Sequence, residues 1–129
     1  MKLLLDTHVF LWYISKDSRL PNAMLENIRN PDNEVFLSVV SVWETIIKYQ
    51  IGKLPLPQSP EIYLPIQRKR HSISSLTLDE ASVCHLLKLP YIHRDPFDRI
   101  LICQAIEHGL TIATVDNAIN SYAVKTMKQ

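Results

Sequence analysis

Four carboxylates in this sequence stand where an acid can do more than solvate a surface. Asp6 ends the apolar run Leu3-Leu4-Leu5, and Asp116 ends the run TIATV. Glu44 is embedded in SVVSVWETII, and Asp98 in PFDRILICQA. A carboxylate that emerges from apolar surroundings needs a partner, and no comparable set of lysines or arginines stands beside these acids. Brought together, they would repel one another unless a cation joined them. Oxygen donors without a cysteine or histidine cluster suit Mg²⁺, with Mn²⁺ as the alternative. Such an ion activates water, neutralises an attacked phosphate and stabilises a leaving oxygen. An acidic cleft alone rejects RNA or DNA; with metal it becomes a phosphodiester site.

Each acid also has a purely structural reading. Asp95 can cap a helix that has Pro96 in its first position, and Asp98 then sits in the first turn, where negative charge suits the helix dipole. Glu44 can close a capping box opened by Ser41. Asp6 and Asp116 can be turn residues at strand exits. The stretch HRDPFDRILICQA therefore supports either capping or metal chemistry, and the elements around it must decide.

Those elements alternate. Residues 3–5 and 35–37 read as short strands covered on both faces. Helices are expected over 9–14, over 21–28, and from a cap at Ser38 to about Ile51, with Gly52 closing the third. Prolines recur between residues 54 and 65, and a helix over 62–70 follows. Residues 72–76 form a weaker strand. Thr77 with Glu80 reads as a capping box for a helix over 79–89 that Pro90 stops. The helix starting at Pro96 runs to His108 and ends at Gly109. A strand over 111–115, a turn or short helix over 116–120 and an edge strand over 123–127 complete the chain. This alternation predicts an α/β class, a three-layer α/β/α sandwich on a mostly parallel sheet with right-handed crossovers. Ligands collect at the carboxyl ends of such strands, so Asp6, Glu44, Asp98 and Asp116 are expected to converge within roughly 10 Å there.

At 129 residues the chain fits one domain, 1–129, and such a domain hides roughly two-thirds of its unfolded surface without disulfides or a structural metal. A net charge of +1 gives no general pull toward polyanions; any nucleic acid must be met by a local patch with metal. Cys84 and Cys103 lack ligand spacing and read as buried reduced thiols. The start MKLLLDTHVFLWYI carries Asp6 and His8 and lacks a cleavage pattern. No run approaches the ~20 apolar residues of a membrane span, so the expectation is a cytoplasmic protein without membrane contact.

MKLLLDTHVFLWY, SVVSVWE, HRDPFDRILICQA and TIATVD, in that order, resemble the PIN-domain ribonucleases, most closely the VapC family of type II toxin–antitoxin systems. The resemblance covers essentially the whole chain. It implies an endoribonuclease dependent on Mg²⁺ or Mn²⁺, with Asp6, Glu44, Asp98 and Asp116 as the metal-binding and catalytic acids. In that scheme Asp6 and Asp98 hold an ion directly, Asp116 helps through water or at a second ion, and Glu44 orients the attacking water or binds the second ion. Thr7 and Thr114 match the small hydroxyls of the family, and Asp95 lies in a supporting position. RNA as substrate, a cognate antitoxin and a homodimer follow from the same likeness.

Around the acids, Arg99 is either a phosphate clamp or a salt-bridge partner of Asp95 or Glu107. Arg68-Lys69-Arg70-His71 either grips a nucleic-acid backbone or forms a solvated helix end. His8 and His93 either contact RNA or are packed and hydrogen-bonded, and Trp12, Trp43, Phe10 and Phe36 suit a core or dimer surface. Two other classes stay open: a different Mg²⁺ phosphotransfer enzyme and a non-catalytic protein-binding module. The first lacks support from the residues, since His8 stands where a dehalogenase-like phosphatase carries a second aspartate. The second would be favoured by basic partners on each acid.

Overall fold

The computed structural model describes residues 1–127; the last two positions of the expected domain lie outside the described residues. Four strands, β1 (Lys2–Leu5), β2 (Glu34–Ser38), β3 (Ser74–Leu76) and β4 (Thr111–Ala113), form one sheet in the order β3-β2-β1-β4. Every pairing in it is parallel. β1 is central, and Leu3, Leu4 and Leu5 are all fully buried. Alternate side chains of a strand point to opposite faces, so Leu3 and Leu5 enter one core and Leu4 the other.

The first core is closed by α1 (Thr7–Ser15), α2 (Asn22–Arg29) and α4 (Pro60–Arg70), through Val9, Phe10, Met24, Ile28 and Leu64. The second is closed by α3 (Val39–Gln50), α6 (Pro96–His108) and α7 (Asn117–Asn120), through Val40, Leu101, Ile102, Ala105 and Ile119. The architecture is the expected α/β/α sandwich. The chain builds outward from β1 to β2 and β3, then returns to place β4 on β1's other side. That reversal opens a crevice at the carboxyl ends of β1 and β4. Among the described residues, no helix is long and apolar enough to cross a membrane.

Local chemistry accounts for the helix ends nearest that crevice. The Val40 amide donates to Ser38 Oγ at 3.0 Å and opens α3 directly after β2. Asp95 caps α6, its Oδ1 accepting from the amides of Phe97 (2.9 Å) and Asp98 (3.3 Å), with Pro96 next. Gly109 ends α6 at φ 64°, a left-handed conformation suited to glycine. The apolar run of α6, broken only by Gln104, is explained by burial, since residues 101–105 are all buried between sheet and α5 (Glu80–Cys84). Within it, Gln104 accepts from Ser38 Oγ at 2.6 Å and donates to the Thr77 carbonyl at 3.1 Å.

Five expectations are corrected. The capping box of Thr77 and Glu80 does not form: Asp79 is the cap, accepting from the Ser82 amide at 3.0 Å, while Thr77 is held outside the helix by Gln104. The helix there ends at Cys84 and tightens into a 3-10 turn over His85–Leu87. β4 stops at Ala113, because the Thr114 hydroxyl turns inward and receives the Asp116 amide at 3.0 Å. The strand over 123–127 reduces to one parallel bridge between Ile112 and Thr126, next to a tight turn in which the Val124 amide donates to the Tyr122 carbonyl. Cys103 is buried as expected, with burial raising its thiol pKa, but Cys84 is exposed.

Candidate metal centre

Asp6, Glu44, Asp98 and Asp116 line one cleft of about 430 Å³, together with Asp95, Lys48, His93, His8, Trp12 and Arg19. Asp6, Glu44 and Asp98 are buried to 5%, 3% and 8% exposure, whereas the Asp116 side chain is half-buried. Three buried acids from three separate elements are costly to hold together without counter-charge.

Each is aimed by a nearby donor. Asp6 follows β1 and occupies the cap position of α1, yet its side chain caps nothing. Instead its Oδ2 accepts from Thr114 Oγ1 at 2.7 Å, so the turn-residue reading does not account for it. Thr7 Oγ1 lies 2.8 Å from Glu44 Oε1 and from Ser41 Oγ; its single proton serves the carboxylate, and Ser41 donates to Thr7. Glu44 lies beyond the first turn of a helix capped by Ser38, which removes its capping-box reading. Asp116 is a cap and more: Oδ1 accepts from the Ala118 amide at 2.8 Å, while Oδ2 faces His93 at 3.5 Å. Asp95 caps as expected and touches the same cleft. Thus the opening stretch is both a capped helix start and the carrier of a buried acid.

The electrostatics register the crowding. Burial raises the Asp6 pKa, and the Thr114 hydrogen bond only partly offsets this; Glu44 and Asp116 add to the rise. Asp98 is pushed up to about 7, first by burial and then by the Asp6 carboxylate, against the lowering effect of His93.

Of two basic groups inside the cleft, Lys48 was missed and His93 was anticipated. Lys48 Nζ donates to Glu44 Oε2 at 2.6 Å, one lysine partner where no comparable set of lysines or arginines was expected beside the acids. Its position four residues after Glu44 on one helix was the available signal. His93 Nε2 lies 2.8 Å from Asp98 Oδ2, which settles it as hydrogen-bonded. His93, Asp98 and Asp116 each offer a ligand atom within 4.8 Å of the others, a group able to hold a metal ion.

Other expectations move. The phosphate-clamp reading of Arg99 is corrected: its guanidinium is buried, donating to the Pro90 carbonyl at 3.0 Å and Tyr122 Oη at 3.2 Å. No ion pair joins it to Asp95 or Glu107; Arg99 instead supports the loop that carries His93. The run from Arg68 to His71 ends α4 away from the cleft, with Arg68 bound to the Ile73 carbonyl at 3.1 Å. Phe10 is core and Phe36 packs against the second cluster, as expected. Trp43 is exposed and meets Phe97 edge-on, while Trp12 forms part of the cleft wall.

Two relatives in sequence carry the name ribonuclease. Ribonuclease VapC16 of Mycobacterium tuberculosis is 36% identical over 63 residues, 49% of this chain and 43% of that relative, so the chain spans less than half of its length. Ribonuclease VapC22 of the same organism is 25% identical across 93% of this chain and 91% of its own. In fold, the chain is similar to VapBC2 from Rickettsia felis bound to a promoter DNA fragment, with a TM-score of 0.75, 16% identity and 98% of both chains covered. It is also similar to VapBC-1 from nontypeable Haemophilus influenzae, with a TM-score of 0.67, 17% identity and coverage of 99% and 98%. The PIN domain profile matches residues 3–125, nearly the whole sheet and every acid of the cleft, and the chain belongs to the PIN domain family.

Proposed function

We propose that this protein is a metal-dependent endoribonuclease that hydrolyses RNA phosphodiester bonds, and that it is the toxin of a toxin–antitoxin pair. The observation that carries the reading is the cleft itself: Asp6, Glu44 and Asp98 buried together with Asp116 at the switch point of a PIN-family sheet. Two relatives bear the name ribonuclease, and the structural neighbours were solved as VapBC assemblies.

The donor set fits a hard divalent ion, Mg²⁺ or Mn²⁺. Asp6, Asp98 and Asp116 would hold it, with Glu44 orienting the attacking water or serving a second ion. When bound, the ion supplies a water of lowered pKa and positive charge opposite the scissile phosphate. The chain's own residues supply the rest. Thr114 fixes the rotamer of Asp6, Thr7 and Lys48 fix that of Glu44, and Asp95 stiffens the turn bearing Asp98. Trp12, His8 and Arg19 form a wall of aromatic and basic character against which single-stranded RNA can lie. A cognate antitoxin covering this cleft and a homodimeric state belong to the same reading. The test is digestion of a mixed RNA pool with Mg²⁺, with Mn²⁺ and with chelator. Cleavage confined to the metal-containing reactions, leaving 5′-phosphate and 3′-hydroxyl ends, is expected. Metal-independent cleavage, or none by a folded chain freed of any antitoxin, would overturn the proposal.

A further inference from the structure

One nitrogen donor sits among these oxygens. His93 Nε2 stands 2.8 Å from Asp98 Oδ2 and 3.5 Å from Asp116 Oδ2. Donor atoms around a six-coordinate ion with bonds of about 2.1 Å are separated by about 3 Å along each edge. The two separations from His93 therefore lie near that edge length, and one ligand atom from each of the three residues lies within 4.8 Å of the others.

The imidazole is brought there by contacts outside the cluster. Tyr122 Oη accepts from the His93 amide at 2.7 Å and from the Ile92 amide at 3.1 Å. Arg99 donates to the same hydroxyl at 3.2 Å and to the Pro90 carbonyl at 3.0 Å, and its guanidinium lies 4.5 Å from the centre of the Tyr91 ring. Tyr122 and Arg99 are both buried, so four consecutive residues of the loop, Pro90 to His93, are fastened to the body of the protein. Holding one loop by so many contacts suits a residue whose position matters to within an ångström.

We propose that His93 is a nitrogen ligand of the metal centre, sharing an ion with Asp98 and Asp116, and that it tilts the centre toward Mn²⁺ over Mg²⁺. The proposal rests on the reading of the cleft as a divalent-metal site. Mg²⁺ is served by oxygen donors, whereas an imidazole is a better ligand for first-row transition ions. Tyr122 and Arg99 are then positioning residues, acting only through the loop.

The test uses the whole protein loaded with Mn²⁺ alone and examined by pulsed electron paramagnetic resonance. Directly bound ¹⁴N modulation is expected in the parent and in His8→Gln, which changes the other cleft histidine, and is absent in His93→Gln. By calorimetry, His93→Gln should weaken Mn²⁺ binding about 10-fold or more while changing Mg²⁺ binding less than about threefold. Tyr122→Phe should weaken Mn²⁺ in the same direction by a smaller factor. A parent that binds Mn²⁺ without ¹⁴N modulation, and loses it in Asp98→Asn, would overturn the role of His93 and leave the acidic site standing. A parent that binds no divalent ion would remove both. A parent spectrum without ¹⁴N modulation overturns the role even where a variant fails to fold.

Discussion

Asp98 serves two ends that pull against each other: it lies in the first turn of α6, and its charge is buried beside Asp6. Its pKa rises from 3.8 to about 7, chiefly through burial. Between those values the folded chain binds more protons at this group than the unfolded chain, so stability falls as pH rises through the window. Without metal, the melting temperature of the parent should drop from pH 5 to pH 7.5 more steeply than that of Asp98→Asn, and added Mg²⁺ should restore the parent at the higher pH. Equal slopes in the two proteins would show that Asp98 carries no such burden. If Asp98 is a ligand, Asp98→Asn should also lower RNA cleavage by about two orders of magnitude or more. If it is only a first-turn acid, the change should be worth a few tenths to ~1 kcal/mol of stability and leave cleavage intact.

At the scale of the element, α6 shows why capping and chemistry coexist in one stretch. Asp95 holds the first turn through two amides, one of them the amide of Asp98. Asp95→Asn should be close to neutral and Asp95→Ala should cost ~1 kcal/mol in chemical denaturation. At the other end, Gly109→Ala meets no steric neighbour, so its cost of about 1 kcal/mol should come only from the left-handed backbone at φ 64°. A loss several times larger would mean that α6 ends by packing and not by conformation. Helix and strand positions were legible because burial imprints periodicity: the Leu3-Leu4-Leu5 run and the proline–glycine punctuation of α6 needed no other information. The false capping box was not, since Thr77 is pulled out by Gln104, far along the chain. The end of β4 was likewise hidden, since the Thr114 hydroxyl turns inward to receive the Asp116 amide and to reach Asp6, far back along the chain.

For the whole molecule, the acids could be read as a group because each follows a strand or opens a helix, and a parallel sheet sends such positions to one edge. The basic groups could not, since Lys48, His93 and Arg99 acquire their roles from the rotation of α3 and from a loop tied to Tyr122. That division bears on how RNA is met. The chain's net charge is only +1, and the run Arg68-Lys69-Arg70 lies off the cleft. On the proposed function, phosphates near the cut would meet a metal held by the acids and, in the cleft lining, the cations Lys48 and Arg19, each already facing a carboxylate. With about two or three phosphates engaged, the logarithm of RNA affinity should fall against the logarithm of salt with a slope near −2. The measurement is kcat/KM for a short labelled RNA between about 50 and 200 mM salt at constant free Mg²⁺. The paired change Lys69→Ala and Arg70→Ala should leave that slope and the rate unaltered, whereas Arg19→Ala should flatten the slope and raise KM. A slope near −5 that collapses with the Lys69 and Arg70 changes would instead make the end of α4 part of the RNA path, drawn past the acidic cleft by a surface that one chain alone does not align with it.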